Sequence, residues 1–78
     1  MITVGQLLKS RRNSKEISLE KISEELKISI YTLEKIENDQ VTNNADIIFY
    51  IGHLRSYSNF LELDSSQIIN DFKNQISF

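Results

Sequence analysis

Ser18-Leu19-Glu20-Lys21-Ile22-Ser23-Glu24-Glu25-Leu26, then Lys27-Ile28-Ser29, then Ile30-Tyr31-Thr32-Leu33-Glu34-Lys35-Ile36-Glu37-Asn38 is the stretch that decides the fold. Ser18 can accept a hydrogen bond from the backbone of the following turn, and Glu20 suits the positive end of a helix dipole. Leu19, Ile22, Ser23 and Leu26 follow at helical spacing, which predicts a helix over 19–26. Ser29 repeats the cap signal, and Ile30, Leu33 and Ile36 carry a helix over 30–38. Two short helices joined by a three-residue turn read as a helix-turn-helix.

The flanks complete the picture. Thr3-Val4-Gly5-Gln6 reads as a capping box, and Val4, Leu7 and Leu8 place a first helix at 4–14. That helix is basic, with Lys9, Arg11, Arg12 and the adjoining Lys15. Residues 38–45 form a polar connection within the domain. The longest helix is predicted from near Asp46 to Leu61. Asp64-Ser65-Ser66-Gln67 reads as a second capping box opening a helix over 65–76, with Ile68, Ile69, Phe72 and Ile76 inside. Proline is absent and glycine occurs only at positions 5 and 52, which argues against many short strands and tight turns. The expected fold is all-α: a compact five-helix bundle containing a helix-turn-helix.

Composition bounds the function. Seventy-eight residues make a single domain, 1–78, with a small core and a small stability margin. There is no cysteine, hence no disulfide and no thiolate ligand. The net charge is −2, where a general polyanion binder would be basic. No apolar run of membrane-spanning length occurs, nor a leader, so a cytoplasmic chain is expected. Charge is uneven: residues 1–15 carry +4, residues 16–46 carry −5, and residues 47–78 carry −1. Catalysis finds no support. His53 is the only histidine, no glycine-rich phosphate loop exists, and neither a metal nor a cofactor is expected.

Two surfaces compete for a binding role. In a DNA-reading helix-turn-helix the second helix enters the major groove. Its exposed candidates are Tyr31, Thr32 and Lys35, with Arg11 and Arg12 meeting phosphates. Glu34 and Glu37 flank them and repel phosphate, so the acidic middle of the chain counts against this use. The fourth helix offers the alternative. At 100° per residue, Ile47, Ile51, Leu54, Ser58 and Leu61 share a core face, with Tyr50 and Tyr57 on its edge. Phe49, His53 and Phe60 fall in another sector, which one core face does not explain. Either the fifth helix covers Phe49 and Phe60, or Phe49 and His53, one turn apart, form an exposed patch for a protein partner; exposed aromatics are common interface hot spots. Arg55 is a surface residue or a partner for an acidic group. Tyr57 is expected to be packed with its hydroxyl on a polar partner. Gly52 either lets another helix approach closely or clears room for a partner, and close packing is the expectation.

Residues 26–39 resemble the helix-turn-helix of the xenobiotic-response-element, or lambda-repressor-like, superfamily. Phe49-Tyr50-Ile51-Gly52-His53-Leu54-Arg55-Ser56-Tyr57, followed by Phe60-Leu61-Glu62-Leu63-Asp64, resembles more specifically the N-terminal cytoplasmic domain of the RodZ family of bacterial cell-shape proteins. That resemblance covers about residues 3–76. It implies an adaptor at the cytoplasmic face of the inner membrane, docking the actin-like protein MreB through its fourth helix: Phe49, His53, Tyr50, Phe60 and Arg55. It also implies a membrane anchor outside this chain. The sequence departs from the family pattern at His53 (Tyr), Ser58 (Ala), Glu16 (Gly) and Glu62 (Gly). If Glu16 and Glu62 adopt positive φ, each costs about 1 kcal/mol relative to glycine.

Overall fold

The computed structural model describes residues 2–42 and 46–76. Five helices follow one another: α1 (Val4–Ser14), α2 (Leu19–Leu26), α3 (Ile30–Glu37), α4 (Ile47–Phe60) and α5 (Ser65–Gln75), with no strand among the described residues. The predicted all-α bundle with its helix-turn-helix is the observed architecture, and the predicted helix limits agree to within one residue at almost every end. The polar connection falls partly on residues 43–45, outside the described residues.

The caps explain this agreement. Thr3 Oγ1 accepts from Gln6 N at 3.1 Å while Gln6 Oε1 accepts from Thr3 N at 2.8 Å, a complete capping box. Ser18 and Ser29 accept from the amides of Lys21 and Thr32. Asp64 caps α5 through the amides of Ser66 and Gln67, but the Gln67 side chain turns forward to Asp71 instead of back. The second box is therefore only half formed.

Helix ends use left-handed residues without glycine. Glu16, Lys27, Asp39 and Glu62 have φ of 57°, 58°, 55° and 61°. After α1, α3 and α4 the following amide closes a six-residue ring: Ile17 N to Arg12 O, Gln40 N to Lys35 O and Leu63 N to Ser58 O. Glu16 and Glu62, which stand where the resembling family has glycine, thus do adopt positive φ. The turn between α2 and α3 bends at Lys27 by the same device.

The core gathers one face from every helix: Val4 and Leu8, Ile22, Leu33 and Ile36, Ile47, Leu54 and Tyr57, Ile68, Ile69 and Phe72, with Ile28, Val41 and Leu61 from the connections. The α4–α5 pair is the most extensive helix contact, and α1 lies against α3. Gly5 makes the second contact possible. A Cβ there would meet the carbonyl oxygens of Glu37 and Ile36 at 2.5 Å, so the backbones approach closer than any side chain allows. Gly52 is the reverse. A Cβ there would meet nothing within 4 Å, so the close packing expected at Gly52 is absent and belongs to Gly5.

Candidate functional site

The surface is best understood from the polar groups that the fold uses up. Arg12 reaches from α1 to the end of α3. Its Nε donates to Glu37 Oε2 at 2.7 Å, its second amino group to Glu37 Oε1 at 3.0 Å, and its first to Ile17 O at 2.9 Å. Tyr57 donates its hydroxyl to the same Glu37 carboxylate from α4. Glu37, expected to flank an exposed reading surface, is instead buried at 5% exposure. The buried carboxylate is satisfied by a bidentate guanidinium and a phenol, the combination that makes a buried charge tolerable. Glu37 also favours the charged form of Arg12. Burial, with Glu37 beside it, pushes the Tyr57 phenol well above its ordinary value, so it stays a donor. The polar partner expected for Tyr57 is present. Among the described residues one buried side-chain polar atom is unmatched: Ser58 Oγ is fully buried with no hydrogen-bond partner.

A second polar cluster fastens the start of α1. Asp39 accepts from Gly5 N at 2.9 Å, from Gln75 Nε2 at 3.0 Å and from the Thr3 hydroxyl. Gln75 Oε1 accepts from Val4 N at 2.9 Å.

These clusters change the account of the first helix. Arg12 was expected at phosphates, but all three of its donor nitrogens bond inside the protein, which removes it from such a surface. Arg11 Nε donates to Leu61 O at 3.2 Å and is likewise engaged. On α3, Thr32 is half-buried and its hydroxyl accepts from Ser29 Oγ at 2.9 Å. Tyr31 is 70% exposed, and Lys35 is half-buried.

On α4 the five expected residues divide. Phe49 is 70% exposed, and Ile48, which the helical arithmetic had not singled out, is 68% exposed beside it. Arg55 is exposed; Tyr50 and His53 are half-buried. Phe60 packs against the core cluster and so stands apart from the open aromatics. Tyr50 and His53 meet edge to face, ring centroids 6.2 Å apart and planes at 87°. Partial burial lowers the His53 pKa from 6.5, favouring the neutral ring. The open backbone at Gly52 lies one position from His53 on the same exposed side.

Helices α3 and α4 meet through Lys35. Its Nζ lies 5.6 Å from the Tyr31 ring centroid and 5.8 Å from that of Tyr50, within cation–π range of both. Sequence reasoning assigned Tyr31 and Lys35 to one function and Tyr50 and His53 to another. The fold brings them into one continuous surface. The missing signal was the approach of Lys35 on α3 to Tyr50 on α4, which helical spacing within either helix does not carry.

The profile of a helix-turn-helix domain family matches residues 7–68. The chain belongs to that family. This helix-turn-helix domain is also 30% identical over 67 residues to a Haemophilus influenzae protein described only as uncharacterized. The match covers 85% of this chain and 22% of that protein, so the domain spans about a fifth of its relative. No solved structure matches. Helix-turn-helix domain families are typically non-enzymatic. Among the described residues of the domain, no cluster of metal-ligating side chains occurs, and no helix is long and apolar enough to cross a membrane.

Proposed function

We propose that this helix-turn-helix domain is a cytoskeletal adaptor that docks an MreB-like actin through α4. The observation that carries this reading is the unpartnered apolar face at the start of α4, where Ile48 and Phe49 stand 68% and 70% exposed. An aromatic that covers no core yet sits on a rigid helix is a typical interface anchor. Open space at Gly52 leaves room for a partner's backbone to approach. Tyr50 and His53 border the same face, and Arg55 supplies a cation at its far side. Attachment to the membrane for cell-shape maintenance, at the cytoplasmic face of the inner membrane, would run through sequence outside this chain.

The test is a titration of the domain against purified MreB, with Phe49→Ala beside wild type. Saturable binding weakened by more than about 1 kcal/mol in the variant supports the reading. Wild-type domain that fails to bind folded MreB defeats it.

Family membership favours a second reading, a small DNA-binding regulator using Tyr31, Thr32 and Lys35. It must do without Arg12, and affinity for DNA rests mainly on phosphate neutralisation. A labelled duplex tested over a range of salt separates the two, because phosphate contacts give a steep salt slope.

A further inference from the structure

Three cations of this chain are held in ion pairs: Arg12 with Glu37, Lys15 with Glu62 and Lys21 with Glu25. Lys35 is set apart by the aromatic rings around it. Among the described residues no carboxylate lies within ion-pair distance of its Nζ; its neighbours are the Tyr31 and Tyr50 rings. The two rings come from different helices and hold the ammonium at their junction, where the aromatic surface of α3 passes into that of α4. Among the described residues neither tyrosine hydroxyl at this junction has a hydrogen-bond partner. A positive charge held in place, lined by aromatic faces and lacking a counter-ion, is complementary to a single negative group flanked by apolar atoms.

We infer that Lys35, framed by Tyr31 and Tyr50, receives a carboxylate from the docking protein, whose neighbouring apolar side chain covers Phe49. The inference rests on the α4 docking reading and specifies the partner's chemistry: an Asp or Glu beside a hydrophobic residue. A protein carboxylate fits better than a nucleic-acid backbone. Phosphate binding needs several cations in a row, whereas here one ammonium stands among rings, Glu34 is exposed on the same helix, and residues 16–46 carry −5. The two tyrosines also keep the lysine from sampling many rotamers, so less freedom is lost when the carboxylate arrives.

The experiment is calorimetric titration of the 78-residue chain with purified MreB at low and moderate salt, using wild type, Lys35→Met, Tyr31→Leu and Phe49→Ala. Methionine keeps the lysine stem and removes the charge. The expected result is about tenfold weaker binding for Lys35→Met at low salt with most of the salt dependence gone. Tyr31→Leu should weaken binding about two- to fivefold in the same direction. Phe49→Ala should weaken binding but keep the salt dependence. Circular dichroism confirms that each variant folds; should Lys35→Met not fold, the Tyr31→Leu salt profile decides alone. Binding by Lys35→Met within twofold of wild type, with unchanged salt dependence, overturns the carboxylate and leaves α4 docking intact. Absence of wild-type binding overturns both. Tight, steeply salt-dependent capture of a labelled DNA duplex that Lys35→Met abolishes would also overturn it, in favour of phosphate.

Discussion

Helices α3 and α4 have two sides that handle polar groups in opposite ways. On the inner side, Glu37 and Tyr57 are buried and joined to Arg12, and every strong donor and acceptor of the three has a partner. On the outer side, Tyr31, Lys35, Tyr50 and His53 touch one another through ring faces and edges only. The difference separates what holds the domain together from what it offers to others. A group satisfied within the fold contributes specificity to that fold; one left unsatisfied at the surface is available for binding.

This contrast can be broken by mutation. Glu37→Ala should have the largest effect, about 3–5 kcal/mol of lost stability in urea titration, because it strands both the largely covered Arg12 guanidinium and the buried Tyr57 hydroxyl. For a chain of this length total stability is roughly 4–12 kcal/mol, so the substitution removes a large share of it. Phe49→Ala, on the other side, should leave stability within about 0.5 kcal/mol while weakening binding.

The two glycines sharpen the same comparison. Gly5→Ala should cost about 1–3 kcal/mol, since its methyl would run into the carbonyls of Ile36 and Glu37. Gly52→Ala should instead stabilise by up to about 1 kcal/mol, as alanine is the better helix former and nothing obstructs it. If Gly52 clears space for a partner, the more stable variant will bind that partner less well.

Ser58→Ala should raise stability by about 1 kcal/mol, because it removes a buried hydroxyl without a partner and keeps the helix. A thermal melt that moves downward would mean the hydroxyl is satisfied after all.

The smallest effect is a pH dependence at His53. Burial lowers its folded pKa below 6.5, so the unfolded chain takes up the proton first as pH falls. The His53 contribution is therefore lost below about pH 6.5 and complete above it. Urea midpoints measured at pH 7.5 and 5.5 should show a decline that His53→Phe lacks.

Most of the fold could be read from short-range signals. Thr3, Ser18, Ser29 and Asp64 each announced a helix start by a side chain acting on the next turn, and each does so. Ile22, Leu33, Leu54 and Phe72 were correctly placed inside by periodicity alone. What escaped was long-range. Glu37 looked like a solvated acid because its partners, Arg12 and Tyr57, lie 25 and 20 residues away. The close packing expected at Gly52 falls at Gly5 for the same reason: whether a Cβ has room depends on which backbone passes by, and only the packing of α1 on α3 shows that. Helical spacing placed Phe49 off the core face but left open whether α5 covers it, and it carried nothing of its continuity with Tyr31.

The Asp39 cluster has a consequence for topology. Val4 donates to Gln75, 71 positions later, so the first turn of α1 and the last of α5 are stitched side by side. The chain is a nearly closed circle whose cut falls at that seam. Joining residue 76 to residue 3 by a short linker and opening the ring elsewhere would turn its most distant contact into a neighbouring one. The loop-closure entropy otherwise spent there would be removed, and the permuted domain should reach the same structure faster.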